Sequence, residues 1–447
     1  MNIRIHVVEI LGELADVFDR LDQKSVEQFL ARFQFWGSIV LRVAKRARVL
    51  LFPGMLFEEM GFAYFGPIDG HDVLQLVRVF RHIKELKGPV LLHCVTKKGK
   101  GYPYAEEDPT FWHGTGTFEV ETGKATAPQK ALPPSYTAVF GRTLVKLAED
   151  DPKIVAITAA MPEGTGTDLF RERFTNRYFD VGLAEEHAVT FAGGLACGGL
   201  KPVVAIYSSF LQRGYDQIEH DICLQNLPVV FALDRGGLVG EDGPTHHGVF
   251  DFAYLRMLPN MTVMAPADEN ELQHMLKTAL SHPGPVSIRY PRGCGVGVPL
   301  DEQARPLEIG KGARLREGRD VTIAAIGNCV HPALKAAELL AARGVSAGVL
   351  NMRFVKPLDR KLLREALSAT PRLVTVEDHV LDGGFGSAVL EALSEMTEPS
   401  RVLRIGLPDA FAAHGPLGVL YDAYGLSAER IAERVGAWVE SSKSAAL

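Results

Sequence analysis

Between residues 135 and 290, short apolar runs alternate with stretches of helical spacing, and few architectures accept that order. Strands are predicted over 154–158, 179–183, 203–207, 229–233, 263–265 and 286–290, with helices over 135–149, 186–200, 212–225 and 269–280. Runs as apolar as IVAIT or VVFAL lack the polar alternation of a sheet wetted on one face. They suit a parallel sheet covered by helices on both sides. After a stretch over 299–310 that reads as a linker, the order restarts: strands at 321–326, 347–351, 373–376 and 402–405, helices at 331–342, 360–367, 387–396 and 428–440. The expected fold class is α/β, with two doubly wound domains at 135–300 and 308–447. A shorter segment over 1–120 precedes them, with a helix at 72–86, a strand at 90–96 and a Pro/Gly/Thr-rich linker running on to about 134.

The 447 residues leave room for two or three domains, and 47% hydrophobic with 23% charged residues is the make-up of a soluble globular chain. A formal charge of −6 gives no reason to expect nucleic acid as a partner. Cys94, Cys197, Cys223, Cys294 and Cys329 stand singly, which argues against a metal cluster or disulfide framework and fits a reducing cytoplasm. Near the start, Glu9, Glu13 and Asp16 interrupt an apolar stretch in a way a signal peptide excludes, and no uncharged run reaches membrane-spanning length. Residues 39–52 mix Arg42, Lys45, Arg46 and Arg48 with apolar side chains, as a solvated basic helix face or an interfacial membrane helix would.

Residues 178–191, YFDVGLAEEHAVTF, carry the first candidate for chemistry. Glu185 follows a strand and opens a helix, at the carboxyl edge where open α/β sheets bind ligands. Flanked by Ala184, Val189 and Phe191, its carboxyl is desolvated, which favours the protonated form unless a ligand nitrogen shares the proton. The competing reading is a first-turn Glu that complements the helix dipole. Phe210 comes just after a strand, as a ligand-stacking ring or a core residue. Arg235 and Arg292 also follow strands, where a planar fork can meet phosphate oxygens, or simply form surface ion pairs. Asp242 and His246 lie in the Gly-rich loop 236–248, and histidine suits proton transfer near neutral pH; adjacent His247 reads as structural. KGKGY, ending at Tyr102, lacks the Walker spacing and reads equally as a flexible basic loop. Asp69, His71 and Asp72 read as a turn and helix cap in preference to a metal cluster, and Gly383, Gly384 and Gly386 as tight strand-to-helix packing in preference to a nucleotide fingerprint.

These motifs occur together with LFPGMLFEEMGFAYFGPIDGHD (51–72), TKKGKGYPYAEEDPTFWH (96–113), YSSFLQRGYDQ (207–217), DRGGLVGEDGPTHHGVFD (234–251) and RYPRG (289–293). In that order they resemble the 1-deoxy-D-xylulose-5-phosphate synthase family, in the transketolase group of thiamine diphosphate enzymes. The resemblance implies a pyrimidine-binding domain at 135–300, a transketolase C-terminal domain at 308–447 that supports a homodimer, and over 1–120 a remnant of the diphosphate-binding domain. It implies condensation of pyruvate with glyceraldehyde 3-phosphate, with release of CO2, to feed isoprenoid, thiamine and pyridoxal synthesis.

For single residues, the resemblance makes Glu185 the carboxylate that activates the cofactor's aminopyrimidine and Phe210 the ring stacked on it. Tyr102 would touch the cofactor, and His113 would reach the active site. Tyr207, Arg213, Arg235 and Arg292 would line the acceptor-substrate site. Asp242 and His246 would stand near the reacting carbonyl and the acceptor hydroxyls. The chain departs from the family in two respects: no Gly-Asp-Gly occurs, so no residues are named for the Mg2+ that bridges the diphosphate, and the first fifty residues do not resemble the diphosphate-binding domain. A second chain supplying that half, as in a split 2-oxoacid dehydrogenase β-type subunit, and an inactive truncated remnant are the alternatives.

Overall fold

The computed structural model describes residues 55–126, 132–397 and 400–444. The expectations for the leader-like start and for the basic stretch 39–52 fall outside the described residues. The chain divides into two compact units, Met1–Gln129 and Lys130–Leu447.

In the first unit, strand β1 (Ala63–Asp69) and strand β2 (Val90–Val95) pair in parallel through the crossover helix Val73–Ile83. Asp72 caps that helix by accepting the Gln75 N–H (2.9 Å), while Asp69 accepts the His71 N–H (2.8 Å), so PIDGHD is a turn and cap. β1 was not expected, because its central Gly-Pro interrupts the apolar run. Part of the expected linker is built: a short helix Pro103–Glu107 is followed by an aromatic cluster in which Trp112 meets Tyr102 at 5.0 Å and Phe118 at 4.5 Å.

The second unit holds two sheets. The larger contains β3 (Ile154–Thr158), β4 (Tyr178–Asp180), β5 (Lys201–Tyr207), β6 (Val230–Asp234), β7 (Thr262–Met264) and β8 (Val286–Arg289), all parallel, in the order β7-β8-β6-β5-β3-β4. The smaller comprises β9 (Ala313–Arg316), β10 (Val321–Ala325), β11 (Ala347–Asn351), β13 (Arg372–Val380) and β14 (Arg401–Leu407), parallel except for β9 at one edge. β12 (Phe354–Lys356) leaves the smaller sheet and pairs antiparallel with β7, completing seven strands. β3, β6, β10 and β11 are buried at every residue, as continuous apolar runs require. One core cluster runs from Ile157, Val204 and Phe231 to Ile326, Leu350 and Phe385, so the two sheets share an interior.

Three local departures shape the site. The strand expected over 179–183 ends at Asp180, whose Oδ1 accepts the Ala160 N–H (2.8 Å) and the Gly182 N–H (3.0 Å) and turns the chain early. A short loop therefore separates the strand from Glu185. The helix expected over 212–225 is broken into Ser208–Leu211, a 3-10 turn Gln212–Gly214, Tyr215–Gln217 and a π segment Ile218–Cys223. Within it, Gly214 passes close to helix Glu185–Cys197, where a Cβ would lie 3.0 Å from Val189. The stretch 299–310 has no regular element, yet it is strapped to helix Glu269–Ser281: Asn270, His274 and Thr278 accept the N–H groups of Asp301, Arg305 and Leu307 at 2.8–2.9 Å.

Candidate active site

The parallel strands bring their carboxyl ends to one edge. From β3 the chain passes outward to β4 and then returns to β5 on the other side, so the crevice of an open sheet opens between β3 and β5. Glu185 stands there as the first residue of helix Glu185–Cys197, with only 1% of its surface exposed. Its carboxylate receives Arg213 Nη1 at 3.2 and 3.4 Å. Arg213 itself is 61% exposed, so it reaches in from solvent to a buried group. Glu185 is thus in the first helical turn, as the competing dipole reading has it, and is also buried. Three residues before Arg213, Phe210 is half-buried and packs on the apolar cluster that contains Ala188 and Val189 of the Glu185 helix. The irregular winding of 208–214 thus delivers an aromatic ring and a cation from one short element.

A second group gathers around Tyr207 at the end of β5. Its ring stacks on Phe210 (5.4 Å) and lies under the Arg235 guanidinium (4.0 Å). β5 and β6 are in register at Tyr207 and Asp234, which places Arg235, the next residue, over that ring. Arg235 adopts φ +62°, a conformation that costs of the order of 1–3 kcal/mol in a non-glycine residue and is held here by its contacts. Its Nη1 pairs with Asp234 (2.9 Å) and donates to Gly164 O, and its buried Nε has no partner among the described residues. Burial pushes the Asp234 carboxyl up, against the pull of Arg235 and of Thr137, which donates to it at 2.7 Å. Burial likewise pushes up the Tyr207 phenol, while Arg235 pulls it down.

The loop after β6 brings the remaining candidates. His246 meets Phe210 edge-on at 5.2 Å, with its Nδ1 tied to Thr245 Oγ1 at 2.9 Å. Arg292 Nη1 pairs with Asp242 (3.2 Å) and donates to Val239 O (3.2 Å), and both charged side chains stay partly exposed. His247 points the other way: its Nδ1 accepts the Val239 N–H (3.0 Å) and its Nε2 donates to Ala413 O (3.0 Å), so it is buried framework. Tyr102 and His113 belong to the first unit. There the Tyr102 hydroxyl donates to Val120 O (2.8 Å), and His113 is exposed. Sequence reasoning passed over Asp234, Gly164 and Thr137. Only the position of Asp234 beside Arg235 could have pointed to it; the other two are brought in from other elements. Among the described residues no group of three or more His, Cys, Asp or Glu side chains could hold a metal ion.

Residues 13–96 match the family described as 1-deoxy-D-xylulose-5-phosphate synthase, so the likeness reaches into the first fifty residues, against the sequence expectation; residues 133–295 match the pyrimidine binding domain of transketolase, and residues 310–431 its C-terminal domain. The chain is 53% identical over 430 residues to 1-deoxy-D-xylulose-5-phosphate synthase of Heliobacterium modesticaldum, covering 95% of this chain and 66% of that one. It is 55% identical over 418 residues to 1-deoxy-D-xylulose-5-phosphate synthase 1 of Geobacter metallireducens, covering 92% and 67%. The chain thus spans about two thirds of the length of the curated relatives it matches. Among solved structures, a split gene transketolase described as an inactive beta4 tetramer matches at 36% identity and TM-score 0.61, over 69% of this chain and 98% of that one. The transketolase from Leishmania mexicana, at 21% identity, TM-score 0.57 and 70% and 46% coverage, shares the fold. The chain belongs to the 1-deoxy-D-xylulose-5-phosphate synthase family, within the transketolase group.

Proposed function

We propose that this chain carries the pyrimidine-activating and acceptor-binding half of a thiamine diphosphate enzyme that condenses pyruvate with glyceraldehyde 3-phosphate to 1-deoxy-D-xylulose 5-phosphate, releasing CO2. The observation that carries this reading is the buried Glu185 carboxylate on the same sheet edge as the half-buried Phe210 ring, with a cationic group around Tyr207 beside it. The aminopyrimidine fits that setting: a carboxylate out of water for one ring nitrogen and an aromatic face for the ring. Held between Glu185 and Phe210, the cofactor would supply the nucleophilic carbon that the 2-oxoacid carbonyl needs. Glu185 holds a proton against the pyrimidine nitrogen, and a charge-assisted bond of that kind contributes about 1.5–3 kcal/mol. Phe210 orients the ring. Arg235 and Arg292, with Arg213 at the mouth, offer guanidinium forks to the aldehyde's phosphate. Tyr207 braces Arg235, and His246 and Asp242 meet the acceptor's carbonyl and hydroxyls. Mg2+ has no fitting set of ligands among the described residues, and no step here runs through it.

A second reading has support of its own. The split gene transketolase chain matches over nearly its whole length, which favours a chain that works with a second polypeptide holding the diphosphate and metal. A homodimer is the simpler assembly. The five free cysteines suit a reducing cytoplasm, and no helix among the described residues is long and apolar enough to cross a membrane. Calorimetric titration of the purified chain with thiamine diphosphate and Mg2+, followed by a pyruvate decarboxylation assay, separates the readings. Turnover by the chain alone supports the self-sufficient synthase, and turnover only after a second subunit is added supports the split enzyme. Neither binding nor turnover in both settings marks an inactive remnant and overturns the proposal.

A further inference from the structure

The loop that carries Asp242 and His246 is pinched at its neck. Gly237 and Gly248 exchange two backbone hydrogen bonds (2.7 and 2.9 Å), and the Gly236 N–H donates to Tyr290 O (2.9 Å). Two buried charged groups hold that neck from below. Asp378, from β13 of the smaller sheet, is fully buried, and its two carboxylate oxygens each accept the Leu238 N–H at 3.1 Å. The same carboxylate accepts Asn328 Nδ2 (2.9 Å) and the Tyr421 hydroxyl (2.9 Å). Arg289, at the end of β8, donates to Gly248 O (3.2 Å), to Asp251 Oδ2 (3.1 Å) and to the main-chain oxygen of Asp378. Gly237 is required at the contact: φ is +82°, and a Cβ would lie 2.0 Å from Asp378 Oδ2. The loop tip has looser ties. Asp242 is partly exposed and meets Arg292, and Gly243 passes His414.

Burying a carboxylate is costly unless its lone pairs are filled, and here every filled one organises the loop's start or the smaller sheet behind it. An acceptor-only group is what the site needs, since the Leu238 N–H sits equidistant from both oxygens. We propose that Asp378 is a positioning residue: by gripping the Leu238 N–H from the smaller sheet it sets the loop so that Asp242, His246 and Arg292 face the acceptor aldehyde. It touches neither substrate nor cofactor. The loop's task rests on the function proposed above; the grip itself does not.

The test is Asp378→Asn in the full chain. The amide keeps shape and burial but turns one acceptor into a donor facing the Leu238 N–H. Hydrogen–deuterium exchange over residues 238–249 is expected to quicken on the order of 10- to 100-fold, the equivalent of one hydrogen bond to a charged group, while β6 and β13 keep their protection. Where the enzyme turns over, with whatever partner it requires, the KM for glyceraldehyde 3-phosphate rises more than the KM for pyruvate. Should that variant not fold, Gly237→Ala loosens the same contact from the loop side and gives the same local change. Exchange at the wild-type rate overturns the proposal, whether or not the chain is an active synthase. Exchange that quickens equally in β6 and β13 also overturns it, because Asp378 would then serve only to hold the fold.

Discussion

Glu185 shows how little of a site's physics is local in sequence. Its burial was legible, since Ala184, Val189 and Phe191 surround it in the chain, but its partner Arg213 lies 28 residues on, in a 3-10 turn where an unbroken helix was expected. His246 and His247, adjacent and chemically alike, are separated by geometry alone: one edges Phe210, the other is used up between Val239 and Ala413. Removing the charge at 185 tests the function at this scale. With the carboxylate replaced by an amide, Arg213 stays solvated at 61% exposure, so no buried cation is stranded. Glu185→Gln is therefore expected to leave the thermal unfolding midpoint within a few degrees. It should slow exchange of the C2 proton of bound thiamine diphosphate on the order of 100- to 10,000-fold, the usual scale of acid–base help. NMR of the loaded protein reads that proton directly, and exchange at the wild-type rate would remove Glu185 from the mechanism.

At the scale of an element, β13 places two buried titratable groups side by side with opposite behaviour. Burial pulls His379 down to about 4, and its neutral ring is fully employed: Nδ1–H donates to Val380 O (2.7 Å) and Nε2 accepts the Ala253 N–H (3.4 Å). Burial pushes Glu377 up to about 8, although the Phe385 and Gly386 N–H groups at the start of helix Phe385–Ser394 donate to it at 2.5 and 2.8 Å. An unfolded histidine takes its proton first as pH falls from 6.5 to about 4, so His379 weakens folding on the acid side. Glu377 is the reverse: its folded form keeps a proton that the unfolded chain gives up at 4.5, so stability present at low pH is lost as pH rises through about 8. The two slopes oppose each other up to pH 6.5, and above it Glu377 acts alone. Denaturant unfolding is expected to show stability falling by about 2 kcal/mol between pH 6.5 and 8, and Glu377→Gln should level that fall. A variant as pH-sensitive as the wild type would contradict it. Elements of this kind were unequally legible. The strands at 154–158 and 347–351 match their expected limits because a wholly buried strand shows mostly apolar residues without polar alternation. β12 left no such signal, since its three residues make sense only against β7, and a π segment has the same apolar spacing as the α-helix expected over 212–225.

At the scale of the molecule the described residues of the two compact units differ in how much apolar surface they remove from water. Among the described residues the three core clusters lie within 130–447, and in the first unit Ala105 is the only buried apolar side chain. Helix Val73–Ile83 buries none of its residues and exposes Val73, Leu74 and Phe80, and among the described residues the sheet beside it has two parallel strands. Parallel strands are ordinarily covered on both faces, and two strands alone are marginal in water. Local opening should therefore be cheap in residues 55–126 and nearly as costly as global unfolding in the second unit. Dilute protease added to the full chain is expected to cut first within 55–126, leaving a long-lived core that begins near residue 130. Mass spectrometry of a time course gives the order of cuts, and a thermal scan of the digest should keep the main transition of the intact chain, because the shared interior of the two sheets is untouched. Early cuts between β3 and β14, or a main transition that falls along with the first unit, would mean that residues 55–126 draw on and support the larger core, and the division of stability argued here would not hold.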